Sequence, residues 1–133
     1  MGVGMPADIY LHEFASLLIE VFGHHVYHVG SSLNNKTGWR DVDVRVILDD
    51  EEWDHWGFGD PTDTHRSGKW IALVLAFTEL GRKMTGLPID FQIQQMTDAN
   101  TRFGRSQGCN RSALGLVPWR YKALRASGDG EDA

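Results

Sequence analysis

Residues Asp41 to Leu48 read Asp-Val-Asp-Val-Arg-Val-Ile-Leu, an alternation that only a half-buried β-strand accommodates. Val42, Val44, Val46 and Leu48 recur at every second position, so one face of the strand is apolar and belongs to a core. Asp41, Asp43, Arg45 and Ile47 fall on the other face. Two aspartates at i and i+2 project to the same side, with Cα atoms roughly 6–7 Å apart. Carboxylates about 5 Å apart repel by roughly 3 kcal/mol at an effective dielectric near 20. A half-buried pair therefore needs neutralising, and a hard divalent ion such as Mg²⁺ does that with oxygen ligands while leaving positions open for phosphate.

The segments on either side supply further elements. Pro6-Ala7-Asp8 opens a helix in which Ile9, Tyr10, Phe14, Leu17, Leu18 and Val21 recur at helical spacing through Phe22, and Gly23 stops it. His24 to Val29 reads as a strand that ends in Gly30-Ser31. Ser31 to Asn35 fits a short helical turn whose first amides form an anion site, and Lys36 to Gly38 reads as loop. Asp49 to His65, acidic and carrying Trp53 and Trp56, reads as a long functional loop. Its Asp50, Glu52 and Asp54 resemble a calcium loop, but His55 stands where the obligatory glycine belongs. The Trp53 and Trp56 pair suits either base stacking or covering the core.

Ser67 to Lys83 is the second long helix, with Trp70, Ile71, Val74, Phe77 and Leu80 on one stripe. Ile89 to Met96 alternates again, placing Ile89, Phe91 and Ile93 in the core and Asp90, Gln92 and Gln94 on the wet side. A third carboxylate thus lies on a polar strand face. Thr97 to Phe103 fits a short helix, and Val117 to Arg125 a last one that packs Trp119 or Tyr121 with Leu124.

Composition narrows the classes. The chain's 133 residues suffice for one domain with a core, and one cysteine, Cys109, excludes an intrachain disulfide framework and a cysteine-rich zinc site. Neither a run of about 18 apolar residues nor a secretory start is present, so no membrane partner and a cytoplasmic location are expected. Two glycosylation-like triplets carry no meaning without secretion. His24, His25 and His28 suggest zinc, but strand alternation sends His24 and His25 to opposite faces, so at most His24 with His28, or His25 with a distant partner, shares a metal. Charge is uneven: residues 1–101 hold 15 acidic and 7 basic groups, whereas residues 102–125 hold 6 basic and no acidic ones. Such a basic segment suits phosphate or an acidic partner, or simply a solvated surface.

In order, these pieces are Val29-Gly30-Ser31, Asp41-Val42-Asp43-Val44 and Ile89-Asp90-Phe91. The pattern resembles the DNA polymerase β-like nucleotidyltransferase superfamily, in its minimal single-domain form, over about residues 7–96. The resemblance implies an α/β (α+β) palm, a small mixed sheet of about three to five strands packed on helices. Residues 1–103 are expected to form a nucleotidyltransferase-like domain, 104–126 a basic C-terminal extension packed on or extending it, and 127–133 a disordered tail. The resemblance implies Mg²⁺ or Mn²⁺ as cofactor, held as two ions by Asp41, Asp43 and Asp90, and an NTP as substrate. Asp90 would also help deprotonate the acceptor. Gly30 and Ser31 would cradle phosphate, with Ser32, Lys36 and Arg40 within reach of the triphosphate. The implied reaction moves a nucleoside monophosphate to a hydroxyl on RNA or tRNA, a protein or a small molecule. Larger relatives carry a helical domain after the third strand, whereas only residues 97–133 follow it here, so the acceptor is expected to be bound by residues 102–125, by the acidic 49–65 segment, by a second subunit or by a separate protein. The alternative implied role is a catalytically silent nucleotide-binding or regulatory module.

Overall fold

A computed structural model describes residues 4, 6–23, 26–30, 41–103 and 111–115. Helix α1 (Ala7–Phe22) is closed by Gly23, whose φ of 69° is left-handed and whose N–H reaches the Ile19 carbonyl at 2.7 Å. Strand β1 (Val26–Val29) follows, then β2 (Val42–Leu48), helix α2 (Asp50–Trp56) and a single 3₁₀ turn (Thr64–Arg66). Helix α3 (Gly68–Thr85), strand β3 (Ile89–Gln95), helix α4 (Met96–Phe103) and strand β4 (Arg111–Leu114) complete the described elements. The strands form one mixed sheet in the order β3-β2-β1-β4, with β2 and β3 parallel and the other two pairs antiparallel. The result is a small α+β fold, as the alternating strands and helices imply. None of the described helices is long and apolar enough to cross a membrane.

Alternation assigns the two faces. Val26 of β1, Val42, Val44, Val46 and Leu48 of β2, Ile89, Phe91 and Ile93 of β3 and Leu114 of β4 are buried in one core with α1. Helix α1 turns a narrower stripe inward than its apolar content suggests. Leu11, Phe14, Ala15, Leu18 and Phe22 are buried, whereas Tyr10, Leu17 and Val21 are exposed. The buried set follows a strict three-and-four spacing, and the other three lie outside that arc. On α3, Trp70 is buried and Ile71, Val74 and Phe77 pack against the core, but Leu80 is exposed. Gly81 takes its place at the contact with α1, because a Cβ there would sit 2.7 Å from the Phe14 ring and 3.2 Å from Ile89 Cγ2.

The segment read as a long loop, residues 49–65, instead opens with a helix whose Trp53, with Phe58 after it, is buried in the core. Asp49 caps α2 by accepting the Glu52 N–H at 2.7 Å, and Asp50, Glu51 and Glu52 suit the positive end of the helix dipole. Trp53 is buried, and its Nε1–H donates to the Gly59 carbonyl at 2.8 Å. Trp56 stacks on Phe58 and lies 5.2 Å from Phe22. These rings are occupied by the core, so they offer no free face pair for a base.

Strand β4 lies inside the segment read as a basic extension, and it joins the sheet beside β1. The Gly115 N–H donates to His12 Nδ1 at 3.0 Å, tying the end of β4 to α1. The helix expected over residues 117–125 and the tail lie outside the described residues, as do His24 and His25.

Two outcomes test this packing. Gly81→Val should lower unfolding stability by about 2–3 kcal/mol, because overpacking at a helix contact costs about that much, measurable by urea titration. His28, fully buried on the core face, has its pKa pulled down by burial from 6.5 to about 4, with Asp8 opposing and His12 assisting. The unfolded chain therefore takes up the proton first, and stability present above pH 6.5 is lost as pH falls toward 4. The loss attributable to His28 should be about 2–3 kcal/mol between pH 7 and roughly pH 4.5, and His28→Leu should remove that part of the slope.

Candidate metal centre

The face of the sheet opposite the core carries the charged side chains. Parallel pairing sets Asp43 of β2 directly beside Asp90 of β3, and Arg45 beside Gln92. Antiparallel pairing sets Val29 of β1 beside Asp43, and Arg111 of β4 beside Val29. Helix α4 covers the far half of this face, where Ile47 and Ala99 are buried. Arg111 fixes it there through Nη1 to Asn100 Oδ1 at 2.9 Å and Nη2 to the Ala99 carbonyl at 3.1 Å. Asp50 accepts the Thr97 N–H at 3.1 Å and so caps the start of α4. Among the described residues nothing comparable covers the near half, where Asp41 is exposed and the Asp90 side chain is 42% exposed.

Asp41, Asp43 and Asp90 meet in that half, with one carboxylate oxygen of each within 4.8 Å of the others. Oxygens on opposite sides of one Mg²⁺ or Ca²⁺ lie about 4.2–5 Å apart, so the donor spacing and the hard oxygen chemistry suit a divalent ion. Asp41 is exposed, whereas Asp43 and Asp90 are partly buried. Burial pushes the Asp43 carboxyl above its usual range. Arg45 opposes that shift, and Asp90 and Asp41 add to it. Three acids in a half-dry place repel one another, which is the condition a bound cation relieves.

Gly30 ends β1 with φ +81°, and a Cβ built on it would collide with Oδ2 of Asp43. The backbone here lies against the carboxylate, at a left-handed φ that favours glycine. The other residues expected around phosphate, Ser31, Ser32, Lys36 and Arg40, lie outside the described residues.

Sequence reading passed over Arg45. Its Nη1 donates to the Asp90 carbonyl at 2.6 Å and to the Val44 carbonyl at 3.1 Å. Its Nη2 lies 3.8 Å from Asp43 Oδ1 and 3.7 Å from Asp90 Oδ2. Only 12% of the side chain is exposed. The signal was present in the alternation, since Arg45 stands at i+2 from Asp43 on the same face. The contact with Asp90 depends on a strand pairing that spacing alone does not reveal.

Beyond Asp90, a polar cavity of about 200 Å³ opens between Gln92, Gln94, Thr62, His65, Asp98 and Arg102. Arg102 is spent on Asp98, to which Nη2 donates at 2.7 Å. Arg102 and Arg111, the two basic groups of residues 102–125 within the described part, thus both make contacts inside the fold. His28 faces the core rather than this site, which removes it from any ligand set with the three aspartates. No known family model, curated protein or solved structure matches this chain.

Gly30→Ala should test the cradle. A left-handed non-glycine residue costs about 1–2 kcal/mol, seen in urea unfolding. The displaced Asp43 carboxylate should weaken Mn²⁺ binding tenfold or more, about 1.4 kcal/mol, with the circular dichroism of the folded chain unchanged.

Proposed function

We propose that this chain is a small metal-dependent nucleotidyltransferase of the polymerase β-like type. The observation that supports it most is the convergence of Asp41, Asp43 and Asp90, from two strands separated by two helices, beneath a positive-φ glycine at the end of a third strand. Asp41, Asp43 and Asp90 would hold Mg²⁺ or Mn²⁺, which when bound supplies charge stabilisation to the phosphoryl oxygens. Gly30 admits the triphosphate to within backbone distance of Asp43. Asp90, with 42% of its side chain exposed, takes the proton from the acceptor hydroxyl. The acceptor oxygen bonds to the α-phosphorus, the bond from that phosphorus to the bridging oxygen breaks, and its electron pair leaves with pyrophosphate. The polar cavity beyond Asp90 gives the acceptor room on the side opposite Gly30. Acceptors in keeping with this reading are RNA, a protein or a small molecule, met in the cytoplasm and bound with help from a second subunit or partner protein.

A second reading is a nucleotide-binding or regulatory module without turnover. Arg45 favours it, because it already neutralises part of the carboxylate charge. One experiment separates the two. The full chain with Mg²⁺ or Mn²⁺ is given each NTP labelled at the α-phosphate, together with total RNA and lysate proteins. Transfer of label to one acceptor class with release of pyrophosphate is expected. Asp41→Asn with Asp43→Asn should reduce it at least about 100-fold, or about 2.7 kcal/mol of barrier. Nucleotide binding without transfer in the wild type would leave the module as the answer, and transfer that survives the double substitution would overturn the site.

A further inference from the structure

The three carboxylates already have a cation of their own. Arg45 enters the site on the same strand face as Asp43 and is not free to leave it. Its Nη1 is tied to two backbone carbonyls, Asp90 at 2.6 Å and Val44 at 3.1 Å. That anchorage aims Nη2 between Asp43 Oδ1 at 3.8 Å and Asp90 Oδ2 at 3.7 Å. A guanidinium stays charged at any ordinary pH, and its planar fork can serve a carbonyl and a carboxylate at once. It therefore stands beside the pair of oxygens that two strands would jointly offer to an ion.

The Asp43 carboxylate divides its oxygens. Oδ1 faces Arg45, and Oδ2 faces the turn at Gly30. The side toward β3 is served by the protein's own charge. With Arg45 counted, the cluster of Asp41, Asp43 and Asp90 carries a net −2, which one divalent ion cancels. A second ion would leave an excess positive charge in a partly buried place, next to a fixed guanidinium.

We infer that Arg45 is a built-in counter-ion that stands in for one of the two metal ions expected at such a site, so that the free protein binds a single divalent ion. This rests on the reading of the three aspartates as a metal centre. Arg45 is a positioning residue under this inference: it holds Asp90 and its strand without touching the nucleotide. The acceptor side would then rely on Asp90 and the guanidinium where a second ion would otherwise stand.

The test is the stoichiometry of Mn²⁺ on the full chain without nucleotide, measured by calorimetry and by the paramagnetic resonance signal of free Mn²⁺. The wild type should bind one ion per chain, and Arg45→Lys, which keeps the charge, should also bind one. Arg45→Met should admit a second ion, and its melting temperature should rise more on adding Mn²⁺ than that of the wild type. Two ions in the wild type would overturn the inference while leaving the metal centre intact. So would a single ion in Arg45→Met with affinity within threefold of the wild type. No ion on any of the three proteins would instead remove the metal centre itself and the inference with it. Should Arg45→Met not fold, Arg45→Gln keeps a donor for the Asp90 carbonyl without the charge and takes its place, and the wild-type stoichiometry decides independently of either variant.

Discussion

The parallel register of β2 against β3 brings Asp43 and Asp90 side by side, and the rest of the molecule is arranged so that this pairing can exist. In a sheet, a slip of one residue turns every side chain to the other face. Here such a slip would send Asp90 into the core and Phe91 to the solvent. The register is held on the buried side by Val42, Val44 and Val46 against Ile89, Phe91 and Ile93. The apolar face thus pays for a charged face that would by itself push the strands apart.

A parallel pair also needs a long crossover, and the chain between Leu48 and Ile89 provides it with α2 and α3. The crossover does more than return the chain. Phe22, Trp56, Phe77 and Phe91 join in one aromatic group that closes the core between α1, α2, α3 and the sheet. Helix α3 also serves the outer edge of β3. Trp70 Nε1–H donates to the Ile93 carbonyl at 2.9 Å, and Arg82 Nε–H to the Ile89 carbonyl at 3.0 Å. Side chains thus satisfy carbonyls that an edge strand would otherwise leave to solvent or to another chain.

On the opposite face the arrangement is electrostatic. Arg45, Asp43 and Asp90 share a patch in which burial weakens solvation and strengthens every charge interaction. Arg45 offsets part of the repulsion among the carboxylates. Helix α4, pinned by Arg111 and capped by Asp50, dries half of the face and leaves the aspartates at the margin between dry and wet.

Much of this was legible in residue order. The period-two runs at 41–48 and 89–95 identified both strands and their buried faces, because alternation is a local property of the chain. Helix ends at Gly23 and Gly86 were equally local, since only a left-handed residue closes them easily. The three aspartates could be named for the same reason: each stands on the polar phase of its own strand or at its start. What tertiary structure decided was everything that depends on partners distant in sequence. It chose Leu11 and Phe22 over Tyr10 and Val21, turned an acidic Trp-bearing segment into a capped helix over the core, and recruited residues 111–114 as a fourth strand. Above all it placed the guanidinium of Arg45 against Asp90, 45 residues away. Strand alternation sets which way a side chain points, whereas only the pairing of strands sets what it meets there.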